Sequence, residues 1–391
     1  MIAHLLLALT LQVPADSLSL QAALARARQS RPLAVAAGAG VAEARGGLRA
    51  ASALPNPAFS YSHSESYPQN HLLVEQPLDW LLSRGASRAA GQAGVLRAGA
   101  DSAQVMAELA REVRVAYWTA RAARETEQLA RLEASAADSL AAIAASRYRA
   151  GEISLLEQEQ AAQEGARARQ AQSRAREDAR STTLALARAV GVNTMELIPT
   201  DSLDLGLDQL PAESVSVNAN PAVRSAVADS VAAAAEFRAT SLGRVPMPSL
   251  QAGAEWGDPS QPGTLSTLGF AIPLPLWNQG GGAVMSARAR ATRAAAFAGE
   301  ARMEAVRLIW DARNHLDETA LRAKTARDSL VPAAGRIRRR ALEAYAAGET
   351  GILPALDALR AERQVLLDAI QDQLAFQQAL ADWHALSGTD E

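Results

Sequence analysis

Five histidines, His4, His63, His71, His315 and His384, are the first candidates for proton transfer or metal ligation. Either chemistry needs several groups converging, such as two ligands four residues apart on a helix or a base beside a nucleophile. No histidine pair has that spacing, HExxH is absent, and no histidine stands at ligand spacing from a carboxylate cluster. G-x-S-x-G and Walker sequences are also missing. Gly280-Gly281-Gly282 has the flexibility of a phosphate-cradling loop, but no Lys-Ser/Thr follows and no βαβ pattern surrounds it; it reads as a strand-to-helix joint, like Arg84-Gly85-Ala86. Glu125, Glu127 and Glu133 fall among arginines on a helical pattern and read as a solvated face. With no cysteine, disulfides, thiolate metal sites and a lipidated N-terminal cysteine are excluded. The expectation is no enzyme, no cofactor and no metal site. The net charge of −3, with Arg interleaved among Glu and Asp, gives no footprint for nucleic acid.

What the residues do specify is turns. YRAGEISLL, Tyr148 to Leu156, is answered by YAAGETGIL, Tyr345 to Leu353, and upstream Trp118-Thr119-Ala120-Arg121 is answered by Trp310-Asp311-Ala312-Arg313. The chain is a tandem duplication. Gly151 and Gly348 each end a long helical run, where a left-handed residue is needed and glycine adopts it without a Cβ clash. Ser154 and Glu157 then form an S-x-x-E capping box, and Pro354 suits a first helical turn. Each half holds a tight helical hairpin.

The helix before the first tip runs from about Ser87 to Arg149 without proline. At 1.5 Å per residue it measures roughly 90 Å, more than a compact domain holds. Aromatics make up 4% of the chain and hydrophobics 49%, much of it alanine, which suits close helix-to-helix contact. Leu129, Leu132, Ala136 and Ile143, with Leu356, Leu359, Leu366 and Ile370, keep heptad-like spacing for side-by-side packing.

The period changes after Pro55-Asn56-Pro57 and again after Pro246-Met247-Pro248. Phe59 and Tyr61 alternate with serines, and Leu72 and Val74 continue the alternation; Leu250, Ala252, Ala254 and Trp256 alternate with polar or small residues, as do Leu268, Phe270 and Ile272. These are two β-hairpins, about 57–78 and 249–274. Strands of about ten residues with one apolar and one polar face suit a bilayer-spanning barrel, but four strands cannot close one and an open edge is not tolerated in lipid. Several chains must then pool their strands.

The apolar run from Ile2 to Val13, followed by Pro14-Ala15, reads as a signal peptide over 1–15; a buried N-terminal helix is the alternative. No later segment is apolar for long enough to be a transmembrane helix. The division is a first repeat over 16–190 with a helical hairpin at 87–190, a connector over 191–219, and a second repeat over 220–388 with a helical hairpin at 283–387. Arg31-Pro32 and Asn220-Pro221 break the early helices at matching places.

This repeated order, together with Pro55-Asn56-Pro57, Gln76-Pro77-Leu78, Ile272-Pro273-Leu274 and the two Tyr-x-x-Gly tips, resembles the TolC-like outer membrane efflux proteins, and among them the cation-efflux branch, over nearly all of 19–388. The resemblance implies a mainly α fold with a small β part. In it a homotrimer pools four strands per chain into one twelve-stranded outer-membrane β-barrel, and the helical hairpins form a periplasmic α-barrel with the connector as an equatorial belt. It implies a passive exit duct for metal cations or small toxic compounds, docked to a periplasmic adaptor and an inner-membrane pump and set in outer membrane lipid. The tips that would meet the adaptor carry Arg147, Gly151, Ser154 and Gly348, with Gly351 where the first tip has Ser154. The gate candidates are Tyr345 and Asp357, with Pro354 and Thr350 departing from the family pattern; Asp357 also reads as an exposed first-turn carboxylate favoured by the helix dipole. The lipid-facing candidates are Phe59, Tyr61, Leu250, Trp256 and Phe270. Two alternatives remain open, the outer membrane component of type I protein secretion and a soluble periplasmic coiled-coil scaffold or adaptor.

Overall fold

The computed structural model describes residues 16–193, 197–213 and 215–388. The expected signal peptide over 1–15 lies outside them. The elements are β1 (Asp16–Leu18), α1 (Leu20–Ser30), α2 (Pro32–Ser52), β2 (Ala58–His63), β3 (Asn70–Pro77), α3 (Trp80–Arg149), α4 (Leu155–Val190), β4 (Leu197–Pro199), α5 (Pro221–Gly243), β5 (Ser249–Asp258), β6 (Gln261–Ala271), α6 (Gly281–Thr325), α7 (Val331–Ala346) and α8 (Ile352–Ser387).

The boundaries follow local chemistry. Arg31 is extended, as a residue before proline must be, and divides α1 from α2. The Asn220 side chain caps α5 by accepting from Val223 N–H, with Pro221 in the first turn. One joint differs from expectation: α3 starts at Trp80 and Gly85 lies inside it. The Asp79 carboxylate accepts from Trp80 N–H at 3.0 Å, so this acid starts the helix before the glycine is reached. In the second repeat the glycine does form the joint, since Gly280 is left-handed at φ 72° and α6 begins at the next residue. Between α6 and α7 the residues Ala326–Leu330 widen into a π turn just ahead of Pro332. Such a turn accommodates the missing N–H and the ring of a proline that would disrupt an unbroken α-helix.

The chain forms two compact units that draw on both repeats. One comprises Met1–Val35, Val105–Ser216 and Arg307–Glu391. Its largest core joins Leu18, Leu109, Val113, Tyr117, Trp118, Leu186, Val190, Leu197 and Leu203. A second gathers Leu207, Leu316, Phe376 and Trp383, and a third Leu140, Tyr345, Ile352 and Leu356. The connector is tied down at several points: Leu197, Leu203 and Leu207 enter these cores, β1 pairs in parallel with β4, and the buried Tyr117 hydroxyl accepts from Thr200 and Asp201 N–H at 3.1 Å. That hydroxyl also lies 2.8 Å from Asp201 Oδ2, and burial pushes its pKa up to about 12. The Gln377 amide donates to the carbonyls of Leu203 and Leu205.

The expected helix stripe is only partly the one that packs. Leu132 and Ile143 are exposed, while Ala134, Ala137, Leu140 and Ala144 are buried. Alanine at the contact lets two backbones approach closely, so the small residues take the seam and the large ones are left outside. Glu133 and Glu125 are not on a freely solvated face either: both are half-buried, and burial raises both carboxyls above the usual range.

The other unit comprises Ala36–Gln104 and Val217–Val306. It holds a four-stranded antiparallel sheet of order β2-β3-β5-β6, with β2 and β6 at its edges. Gly91 lies so close to Leu48 that a Cβ would stand 3.0 Å from the Leu48 Cα, which brings α2 and α3 together. Arg97 pairs with Asp229, and Arg290 with Glu236.

Candidate functional site

The register fixes which side chains share a face, because directly opposed residues in an antiparallel pair point the same way. Tyr61 opposes Leu72, which opposes Ala254; Phe59 opposes Val74, which opposes Ala252, which opposes Leu268; Leu250 opposes Phe270. These residues, with Trp256 stacked on Tyr61 at 6.2 Å between centroids, form one largely apolar face, which also carries His63, Asn70, Gln76, Thr264 and Ser266. Phe59 is 69% exposed, Leu268 80% and Phe270 73%. The opposite face carries Ser60, Ser62, His71, Glu75, Gln251, Gly253, Glu255 and Thr267, with Leu73 and Leu265 as its large apolar members. There Gln251 donates to Glu75 at 3.3 Å and His71 lies 3.4 Å from Glu255. The large apolar residues are thus the uncovered ones, the reverse of a sheet that packs on a water-soluble core. All five lipid-facing candidates, Phe59, Tyr61, Leu250, Trp256 and Phe270, fall on this apolar face.

At the hairpin tips Gly151 and Gly348 both have φ 77°, with open space where a Cβ would stand. Ser154 and Glu157 make the complete reciprocal capping box, and these hydrogen bonds from Ser154 hold the Glu157 carboxyl below its usual range. Gly351 opens α8 without a side-chain cap. Gly151, Ser154 and Gly348 are exposed. Arg147 turns back instead: its guanidinium lies 4.8 Å above the Tyr345 ring and donates to the Tyr345 carbonyl at 3.3 Å. Tyr345 is 4% exposed and its hydroxyl has no hydrogen-bond partner. Asp357 is open to solvent, with Arg360 at 3.3 Å.

Behind Asp357 lies a charged cluster that sequence reading missed. Glu164 of α4 has a 7% exposed side chain and accepts from Arg360 at 2.7 and 3.0 Å, with Arg363 at 3.6 Å. Arg338 of α7 pairs with Glu362 at 2.7 Å, and Glu133 faces a cavity of about 250 Å³ shared with Arg174, Asp178 and Arg363. The residues come from four helices, all dense in Arg and Glu, so nothing in their spacing singles them out. Among the described residues no group of three or more histidines and acids is placed to hold a metal ion. No described helix is long and apolar enough to cross a membrane.

The fold is shared with solved outer membrane channels. CusC, whose structures describe folding and transmembrane channel formation, superposes with a TM-score of 0.77 at 18% identity over 94% of this chain and 92% of that one. VceC from Vibrio cholerae gives 0.73 at 20% over 95% and 97%, and the open-state MtrE outer membrane channel of Neisseria gonorrhoeae gives 0.73 at 19% over 94% and 88%. The likeness is one of fold, mainly α with a small β part. Residues 23–192 match the model of the outer membrane efflux protein family. No curated protein matches the sequence.

Proposed function

We propose that the chain is one subunit of a homotrimeric exit duct in the outer membrane, carrying metal cations or small toxic compounds passively from the periplasm when docked to an adaptor and an inner-membrane pump. The observation that carries this reading is the sheet: its aromatic residues and most of its large apolar ones lie on one exposed face, Glu75, Glu255 and His71 lie on the other, and β2 and β6 leave its two edges unpaired among the described residues. Unsatisfied edge N–H and C=O groups are not tolerated in lipid, so β2 and β6 need partners from other copies to close a barrel. The exposed stripe that includes Leu132 and Ile143 offers an apolar surface for the same assembly. Gly151, Ser154 and Gly348 stand at the tips where an adaptor would dock, while Tyr345 and Asp357 remain the gate candidates; Arg147 supports the pairing of the tips more than it offers a free contact.

Membrane fractionation and mass measurement test the proposal. The full chain should sediment with the outer membrane, resist salt extraction, require detergent, and run as a trimer. A salt-extractable monomer whose Phe59 and Phe270 are shielded from lipid would overturn it and favour the scaffold alternative.

A further inference from the structure

We infer that Glu75 and Glu255 set the charge preference of the duct, through the polar face of the β-sheet; this rests on the reading of that sheet as a barrel wall. The four strands, Ala58–His63, Asn70–Pro77, Ser249–Asp258 and Gln261–Ala271, contain no Lys or Arg. On the polar face the register stacks three rows: Ala58, Glu75, Gln251 and Gly269; Ser60, Leu73, Gly253 and Thr267; Ser62, His71, Glu255 and Leu265. Its ionisable groups are therefore Glu75, Glu255 and His71. Gln251 donates to Glu75, and His71 is 3.4 Å from Glu255. The Gln251 amide carries no charge to offset that of Glu75. Gly253 and Gly269 have no side chain to stand between these acids and the space they face.

In a barrel of three copies both acids recur in rings, with no fixed positive charge on the strands to offset them. Low-dielectric walls focus such a field, enriching cations and depleting anions inside. Selectivity would thus be set in the sheet, far along the sequence from Asp357 at the hairpin tip.

The absence of cysteine from the sequence makes the test direct. Thr267→Cys places one thiol in the middle row, between the two acid rows, in the full chain reconstituted into phospholipid vesicles. Small cationic and anionic methanethiosulfonates are then compared. The cationic reagent should react faster than the anionic one relative to a free thiol in solution, and Glu75→Gln with Glu255→Gln should reduce that ratio at least about threefold. An unchanged ratio in the double variant overturns the inference while the duct reading stands. Leu268→Cys on the apolar face should react only after detergent is added. If Leu268→Cys reacts as readily as Thr267→Cys in intact vesicles, or Thr267→Cys does not react at all, the barrel-wall reading fails and the inference with it.

Discussion

The Arg147 guanidinium of the first hairpin covers the Tyr345 ring of the second at 4.8 Å, so the tips of the two repeats are held together by a cation against an aromatic face. The Tyr345 hydroxyl is buried with no hydrogen-bond partner. Tyr345→Phe should leave stability unchanged or raise it by about 1 kcal/mol, because an unsatisfied polar group is removed. Tyr345→Ala should cost about 3–5 kcal/mol through the cavity it leaves, and Arg147→Ala about 1 kcal/mol. Chemical denaturation of the three variants separates packing from hydrogen bonding; a Phe variant as damaged as the Ala variant would contradict this assignment.

Glu164 is the buried acid that ties α4 to α8 through Arg360 and Arg363. Truncating it to alanine should destabilise the helical unit by about 1–3 kcal/mol, less than a fully buried pair because the arginines are partly solvated. A double-mutant cycle with Arg360→Ala should return a coupling of at least about 0.5 kcal/mol. Additive losses would mean that the two side chains act independently.

Glu133 gives a pH dependence of known sign. Burial is the largest cause of its raised pKa, with Arg363 opposing. A carboxyl whose folded pKa exceeds the unfolded one stabilises the fold fully below about pH 4.3 and loses that contribution as pH rises through the folded value. Glu133→Gln should therefore be more stable than the parent at pH 7, with the difference shrinking as pH falls toward 4. Melting curves at several pH values decide it, and a gain that grows on acidification would reverse the sign.

Ser154 caps α4 through the reciprocal box with Glu157. Ser154→Ala should cost about 1 kcal/mol, and the matching change Gly351→Ser should add a cap that α8 lacks. Hydrogen exchange at residues 155–158 should accelerate in the first variant. No change there would show that the tip is held by its packing alone.

Gly253 is fixed by crowding in the sheet, since a Cβ there would meet Thr267 Oγ1 at 2.5 Å and the Leu72 carbonyl at 3.0 Å. Gly253→Val should disturb the pairing of β5 with both neighbours and, on the proposed duct reading, lower the yield of detergent-resistant trimer, whereas Gly269→Ala, with open space, should be tolerated. Heat-stable trimer on semi-native gels measures both.

Much of the architecture is local and was legible without coordinates. Gly151 and Gly348 are left-handed, the Ser154 box closes as its spacing requires, Arg31-Pro32 and Asn220-Pro221 mark helix limits, and period-two alternation places Phe59, Tyr61, Leu250, Trp256 and Phe270 on one face. Each depends on residues a few positions apart, where backbone sterics and hydrogen bonding act. What only the tertiary structure decided is which face of each alanine-rich helix packs, that the connector buries Leu197, Leu203 and Leu207, and that Glu164 meets Arg360. The repeats show why: Arg121 and Arg313 occupy matching places, each beside an acid four residues on, and each donates to a connector carbonyl, Asp201 at 2.7 Å and Pro211 at 2.9 Å. Yet Trp118 is buried and Trp310 is 68% exposed. Identical residue types at matching positions met different neighbours, because burial depends on what lies across the interface rather than along the chain.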